Sequence, residues 1–230
     1  MRVGEESVIQ TLSASQTRHL RLRAQRLAPA DRSAETPDRI VAHLGGVQAQ
    51  EAEGAILAIG IRGRALVASQ IEGARLEERS IVRTWGFRGT LHLVAAADLG
   101  WLLPLLGPVF VRKSQRRYAE LALTEARYAD AARLIRASLH SHGPLTRSEL
   151  AEQLAGRGVS LEGQALYHTL RRAGLEGAIC FGPDRDGEPA YVLLDEWVAT
   201  GPPLGEGKAL AALTRRYLRA YGPARPEDLA

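Results

Sequence analysis

The chain has 230 residues, 45% hydrophobic and only 5% aromatic, so it is long enough for a full core, and that core must be mostly Leu, Ala, Val and Ile. Its formal charge is +4, and apart from Lys113 and Lys208 the basic residues are Arg, whose planar fork suits phosphates and guanine edges, although GC-rich coding gives the same usage. A single cysteine, Cys180 in the apolar run AICFG, excludes a disulfide framework and a Cys-based zinc site; no apolar run reaches the ~18 residues of a membrane span, and the N-terminus carries Glu5 and Glu6 in place of a signal core, which together read as a reducing, cytoplasmic setting with no membrane contact.

Residues 1–35 read as a helical lead-in containing the Arg-rich stretch TRHLRLRAQRL. Thr36 as cap and Pro37 as first helical residue then open a helix that runs to Leu44 and stops at Gly45-Gly46. After the stretch GGVQAQE come helices over 52–61 and 66–79, then extended runs over 80–87 and 90–94 that meet at a tight Arg88-Gly89 turn. Helices followed by a hairpin are the order of a winged helix, so 36–95 form a first such module. The segment 96–127 is a helical connector with the densest basic cluster, Arg112, Lys113, Arg116 and Arg117. Each phosphate neutralised there would add about one unit to the salt slope of DNA binding. A solvated helix face produces the same pattern.

The segment 128–200 repeats the order. A helix over 129–141 carries Ala132, Leu134, Ile135 and Leu139 on one stripe and ends at Gly143-Pro144. Thr146 and Glu149 have capping-box spacing and open a short second helix, and Ser160 is placed to cap a third over 161–176. Runs at 178–181 and 190–194 flank the turn PDRDG and make the hairpin. In the third helix Leu166, Leu170 and Ala173 face inward, while Gln164, Tyr167, His168, Arg171 and Arg172 fall on the other side as groove or phosphate contacts, or as the ordinary solvated face of a scaffold.

Residues 131–151 align with 210–230, pairing Leu134 with Leu213, Leu139 with Leu218, Gly143-Pro144 with Gly222-Pro223 and Leu150-Ala151 with Leu229-Ala230. A third module therefore begins over 205–230 and is incomplete, so Leu210, Leu213 and Leu218 must pack on the preceding modules, meet another subunit, or remain exposed. The expected fold class is mainly α with small β-hairpins (α+β), built of tandem winged-helix modules with the third incomplete.

No phosphate-binding loop, nucleophile elbow or H-E-x-x-H motif occurs, and His140-Ser141-His142, two apart at a helix end, reads as a structural pair; no metal is expected. His92, alternating opposite Leu91 and Leu93, reads as a half-buried strand residue. What remains is the amide pair Gln48 and Gln50, which in an extended segment project to one side. Judged by residue type alone, such amides at a helix end are better read as satisfying exposed backbone groups.

GGVQAQE, IVRTWGFRGTLHLV, GQALYHTLRRAGLEGAICFG with the following YVLLDEW, TRHLRLRAQRL and AYGPARPEDLA together resemble the winged-helix DNA glycosylase family that includes the bacterial AlkZ-like enzymes, over essentially the whole chain. The resemblance implies tandem winged helices around a basic cleft, double-stranded DNA as partner, no cofactor, and removal of N-alkylated purines, with interstrand crosslinks among the substrates. The family's signature of Gln, an apolar residue, then Gln or Asp falls on Gln48, Ala49 and Gln50, which implies that both glutamines are catalytic. An N-alkylated purine is already cationic and leaves neutral, so the task is to position a water and stabilise an oxocarbenium-like state, and uncharged amides imply weak pH dependence near neutrality. Neither lysine lies near the motif, so no Schiff base forms and a monofunctional enzyme is expected, with the chain a monomer; the alternative is a winged-helix regulator that binds DNA without catalysis.

Overall fold

The computed structural model describes residues 11–228 apart from Ser33 and Glu162; Glu5 and Glu6, and the Leu229-Ala230 end of the repeat, lie outside the described residues. Helix α1 (Ala14–Ala24) opens with a reciprocal capping box between Ser13 and Gln16, and Arg21 Nε ties it to the far end of the chain by donating to the Pro223 carbonyl at 2.9 Å. Helix α2 (Pro37–Leu44) buries Ile40, Val41 and Leu44 and ends at Gly45, whose φ of 79° is left-handed. Thr36 holds the cap position without a side-chain hydrogen bond, so the ring of Pro37 supplies the start signal.

Strand β1 (Val47–Gln48), helices α3 (Ala52–Gly60) and α4 (Ala68–Leu76), and strands β2 (Ile81–Trp85) and β3 (Leu91–Ala95) follow. Helices α5 (Ala96–Lys113) and α6 (Gln115–Glu120) come next. Then come α7 (Glu125–His142), β4 (Leu145–Thr146), α8 (Arg147–Ala155), α9 (Ala165–Leu175), β5 (Ile179–Phe181), β6 (Ala190–Leu193), a short α10 (Leu194–Trp197) and α11 (Glu206–Tyr221). Thr146 and Glu149 form the capping box their spacing predicts. Helix α9 corrects the sequence reading: its cap is Gln164, not Ser160, because Gly163 with φ of 54° keeps the chain out of the helical region until that point.

The two hairpins are not separate. All strands join one antiparallel sheet in the order β1-β3-β2-β5-β6-β4, and the two halves meet where Arg83 of β2 pairs with Phe181 of β5. From either edge the order reads first, third, second strand of its own half, so each half is the same α-β-α-α-β-β unit and each covers the other's open edge. Pairing between residues so distant in sequence has no local signal.

Side chains alternate across this sheet with period two. On one face Val47, Ile81 and Leu93 pack with α2–α4, and Trp85, Phe181, Tyr191 and Leu145 pack with α7–α9. The other face carries Val82, Val94, Cys180 and Val192 under α5 and α11. Cys180 is fully buried and its thiol is pushed up to about 12 by burial, an inert core thiol. Trp85 is 1% exposed and packs so closely on α9 that a Cβ at Gly174 would lie 2.2 Å from its ring. Gly174→Ala is therefore expected to destabilise the fold by about 1–3 kcal/mol through overpacking, read from the denaturant midpoint; an unchanged midpoint would show that the ring has room to move.

Helix α11 settles where the repeated C-terminal stripe goes. Leu213 packs into the α5 core and Ala209 and Ala220 are buried, while Leu210 and Leu218 stay 53% and 50% exposed. The Arg216 guanidinium bonds both carboxylate oxygens of Asp98, a residue 4% exposed on α5. Among the described residues no helix is long and apolar enough to cross a membrane.

Candidate functional site

Gln48 and Gln50 are exposed and Ala49 between them is 1% exposed, so one small apolar side chain anchors the segment in the α2–α4 core and turns both amides outward. The backbone is held from two directions. Ala49 N–H donates to the Leu91 carbonyl at 2.8 Å, continuing the β1–β3 ladder, and Arg83 donates from Nε to the Ala49 carbonyl at 3.0 Å and from Nη2 to the Gln50 carbonyl at 3.2 Å. Arg83 also lies over the Phe181 ring at 4.9 Å; burial, then the charge of nearby Arg75, lowers its hold on its proton.

The amides themselves are wired in series. Arg88 Nη2 donates to Gln48 Oε1 at 3.1 Å, and Gln48 Nε2 donates to Gln50 Oε1. A guanidinium has no acceptor, so Arg88 forces Gln48 to present its oxygen there and its NH2 to Gln50. The far end of the chain is then the Gln50 NH2, an outward donor, and the remaining lone pair of each amide oxygen is an acceptor.

Arg88 reaches Gln48 because the hairpin turn is left-handed at both central residues, Arg88 with φ of 56° and Gly89 with φ of 66°. Gly89 is required twice over, since a Cβ there would also lie 2.0 Å from Arg171 Nη2. Arg171 of α9 donates from Nε to the Gly89 carbonyl at 3.0 Å and from Nη1 to Ser114 Oγ at 2.9 Å, which fastens the hairpin turn to the far helical unit and to the end of α5. Arg117 donates to Gln164 Oε1 at 2.6 Å, and burial, then the charges of Arg171 and Arg117, lowers the His168 pKa. Gln48, Gln50, Arg88 and Arg171 are thus joined through the Gly89 turn, Arg117 and Gln164 form a second pair, and His168, whose Nδ1 is buried without a hydrogen-bond partner, lies near both Arg171 and Arg117.

Other predicted contacts lie elsewhere or are already engaged. Arg172 is 11% exposed, bonds both oxygens of Glu125 and one of Glu176, and stacks 3.8 Å from the centre of the Tyr128 ring, so its charge is paired in the fold. Arg116 pairs with Glu120 but is 91% exposed. Lys113 lies beside the Phe110 ring, and Arg112 lines a groove with Trp101, Pro108 and Glu206 on the α11 side of α5. His140 bonds Glu196 and His142 bonds the Ser138 carbonyl, and no group of three metal-ligating side chains occurs among the described residues.

Sequence reasoning missed Arg83 and Arg88. Arg83 carried a signal, a charge in the inward register of Ile81 and Trp85; Arg88 carried one too, a long side chain in a turn position that favours Asn, Asp or Gly.

His92, the cross-strand neighbour of Gln48 and of Thr84, is 5% exposed and donates from Nδ1 to the Thr90 carbonyl at 3.0 Å. Burial lowers its pKa, so the folded chain keeps the imidazole neutral while the unfolded chain takes up a proton. Its contribution is fully present above the unfolded pKa of about 6.5 and is lost as pH falls below it toward the folded pKa. Urea midpoints measured from pH 8 to pH 5 are expected to fall in the wild type and to fall less in His92→Asn; parallel curves would remove His92 as a source of the acid sensitivity.

A family model described as DNA glycosylase AlkZ-like matches residues 41–230. An interstrand DNA cross-link repair glycosylase of Streptomyces sahachiroi is 29% identical over 224 residues, covering 89% of this chain and 56% of that protein. Among solved structures, the DNA glycosylase AlkZ of Streptomyces sahachiroi is similar with a TM-score of 0.74 and 25% identity, over 89% of this chain and 56% of that one. The chain therefore spans just over half the length of these relatives.

Proposed function

The chain belongs to the AlkZ-like DNA glycosylase family, and on that premise we propose that it binds double-stranded DNA and hydrolyses the N-glycosidic bond of N-alkylated purines through a water held by Gln48 and Gln50. The two α-β-α-α-β-β units are read as winged helices, with α9 facing DNA in the second. The observation that carries the proposal is the outward amide pair, held in one polarity by Arg88 and linked through Gly89 and Arg171 to the basic face of α9 and α6.

The chemistry suits neutral groups. The alkylated base departs without needing a proton, so no strong acid is required, and a water must be held against the far face of the sugar. A lone pair on Gln50 Oε1, whose other lone pair takes the Gln48 NH2, accepts from that water, and the Gln50 NH2 donates to a sugar or phosphate oxygen. The fixed charges of Arg83 and Arg88 draw the phosphates toward the amides. Arg171, Arg117, Arg116, Gln164 and His168 extend the contact along the duplex, and Arg172 supports Glu125 and Tyr128 beneath them. Both amides are exposed, which suits bulky adducts and bases joined across strands.

The test is incubation with duplex DNA bearing 7-methylguanine and with a crosslinked duplex, counting abasic sites. Base release followed by strand breakage only after alkali is expected. Duplex binding with no release from any alkylated substrate would leave the reading of a DNA-binding module without catalysis.

A further inference from the structure

A second basic feature lies away from the amide pair. Arg39, Ala42 and His43 of α2, Arg216 and Arg219 of α11, and Arg26 and Glu35 from the α1–α2 connection line a cavity of about 240 Å³. Arg39 of α2 and Arg216 and Arg219, one turn apart on α11, bring cations from two helices to the same space, while burial lowers the pKa of His43, one turn beyond Arg39, and favours its neutral form. Two of these charges are answered within the fold: Glu35 bonds Arg26 and Asp98 bonds Arg216. The other two are not, since Arg39 and Arg219 make no hydrogen bond or ion pair with any described residue. The His43 imidazole donates to the Ala24 carbonyl at 2.8 Å, which fixes its ring at the wall. Converging guanidinium groups without counter-charges repel one another, a cost that an anion in the cavity would offset.

We propose that this cavity is a phosphate-binding site, with Arg39 and Arg219 as the forks that hold the phosphoryl oxygens. Arg chemistry favours the bidentate, planar recognition that a phosphate offers. The cavity is also close to the amide pair along the chain. From Arg39 to Leu44 the helix rises about 7.5 Å, and the four residues on to Gln48 span at most about 13 Å. The Arg39 and Gln48 backbones are therefore no more than about six base-pair steps apart, so a backbone phosphate of the duplex held at the amides is one source for the anion. The proposal goes beyond the glycosylase reading, and its test needs no lesion and no base release.

The experiment measures binding of an undamaged duplex across a series of salt concentrations for the wild type, for Arg39→Ala with Arg219→Ala, and for a control of equal charge change, Arg64→Ala with Arg133→Ala. Because Arg39 and Arg219 have no partner to lose, the first double variant is expected to melt no lower than the wild type. Its log Kd against log salt slope is expected to fall by about 1.8, as two lost phosphate contacts require, with the control unchanged. In parallel, sodium pyrophosphate is titrated while the Nε–H signals of Arg39 and Arg219 are followed by nuclear magnetic resonance. Shifted signals with an unchanged salt slope would keep the phosphate site and assign it to a free phosphate rather than to DNA. No pyrophosphate shift together with a slope change matched by the control overturns the proposal.

Discussion

Replacing Gln48 and Gln50 together with alanine is expected to slow 7-methylguanine release by on the order of 10²–10³-fold, the range for removing a preorganised polar group at a reacting centre. Duplex affinity is expected to change by less than about threefold, because neither amide carries charge to set against phosphate. The single variants should each lose nearly as much as the pair, since Gln48 orients Gln50 through a direct hydrogen bond and the two act as one unit. Arg88→Ala should cost less, about tenfold, because it frees the Gln48 amide to turn over without removing either group. Single-turnover rates at saturating enzyme separate these effects from binding. The rate should also be nearly flat from pH 6 to 9, unlike that of an enzyme using paired carboxylates. Equal rates for wild type and the double alanine variant would take both residues out of the mechanism.

The largest stability effect is expected at the junction of α5 and α11. Asp98 is 4% exposed and accepts from Trp101 Nε1 at 3.1 Å and from two nitrogens of Arg216. Arg216→Ala leaves that carboxylate in a low-dielectric site with a single indole donor and should cost about 3 kcal/mol. Replacing both partners with apolar side chains, Asp98→Leu with Arg216→Met, should recover most of the loss, because the penalty lies in the stranded charge rather than in the missing attraction. Denaturant unfolding gives the values, and protease sensitivity around Gly201–Gly205 reports whether α11 undocks. A cost below about 1 kcal/mol for Arg216→Ala would mean that water reaches the pair and screens it as at a surface. The consequence extends to the amide site. Helix α11 packs on α2, where the Tyr221 hydroxyl donates to the Leu44 carbonyl, and α2 leads directly into Gln48.

Much of this was written locally. Thr146 and Glu149 marked their cap, Gly45 marked the end of α2, and the alternation in IVRTW and LHLVA marked two strands whose neighbouring residues take opposite faces. Such signals act within a few residues and survive in the linear chain. The amide pair was legible for the same reason: two polar residues flanking a small apolar one are turned outward by the burial of Ala49. The start of α9 was misread because the left-handed Gly163 outweighed the capping preference of Ser160.

The linear chain alone determined that this is an Arg-rich, mainly helical protein with two repeated helix-and-hairpin units and an outward Gln-Ala-Gln segment. It could not determine which arginines are free. Arg172, Arg171 and Arg88 look alike in one dimension, yet one is neutralised by Glu125 and Glu176, one fastens the Gly89 turn, and one sets the polarity of Gln48. The fusion of two hairpins into one sheet through Arg83 and Phe181 was likewise invisible. The reason is common to all of these: the partner of a guanidinium or of a strand edge is chosen by distance in space, and only the packed chain brings those groups within the few ångströms over which hydrogen bonds and ion pairs act.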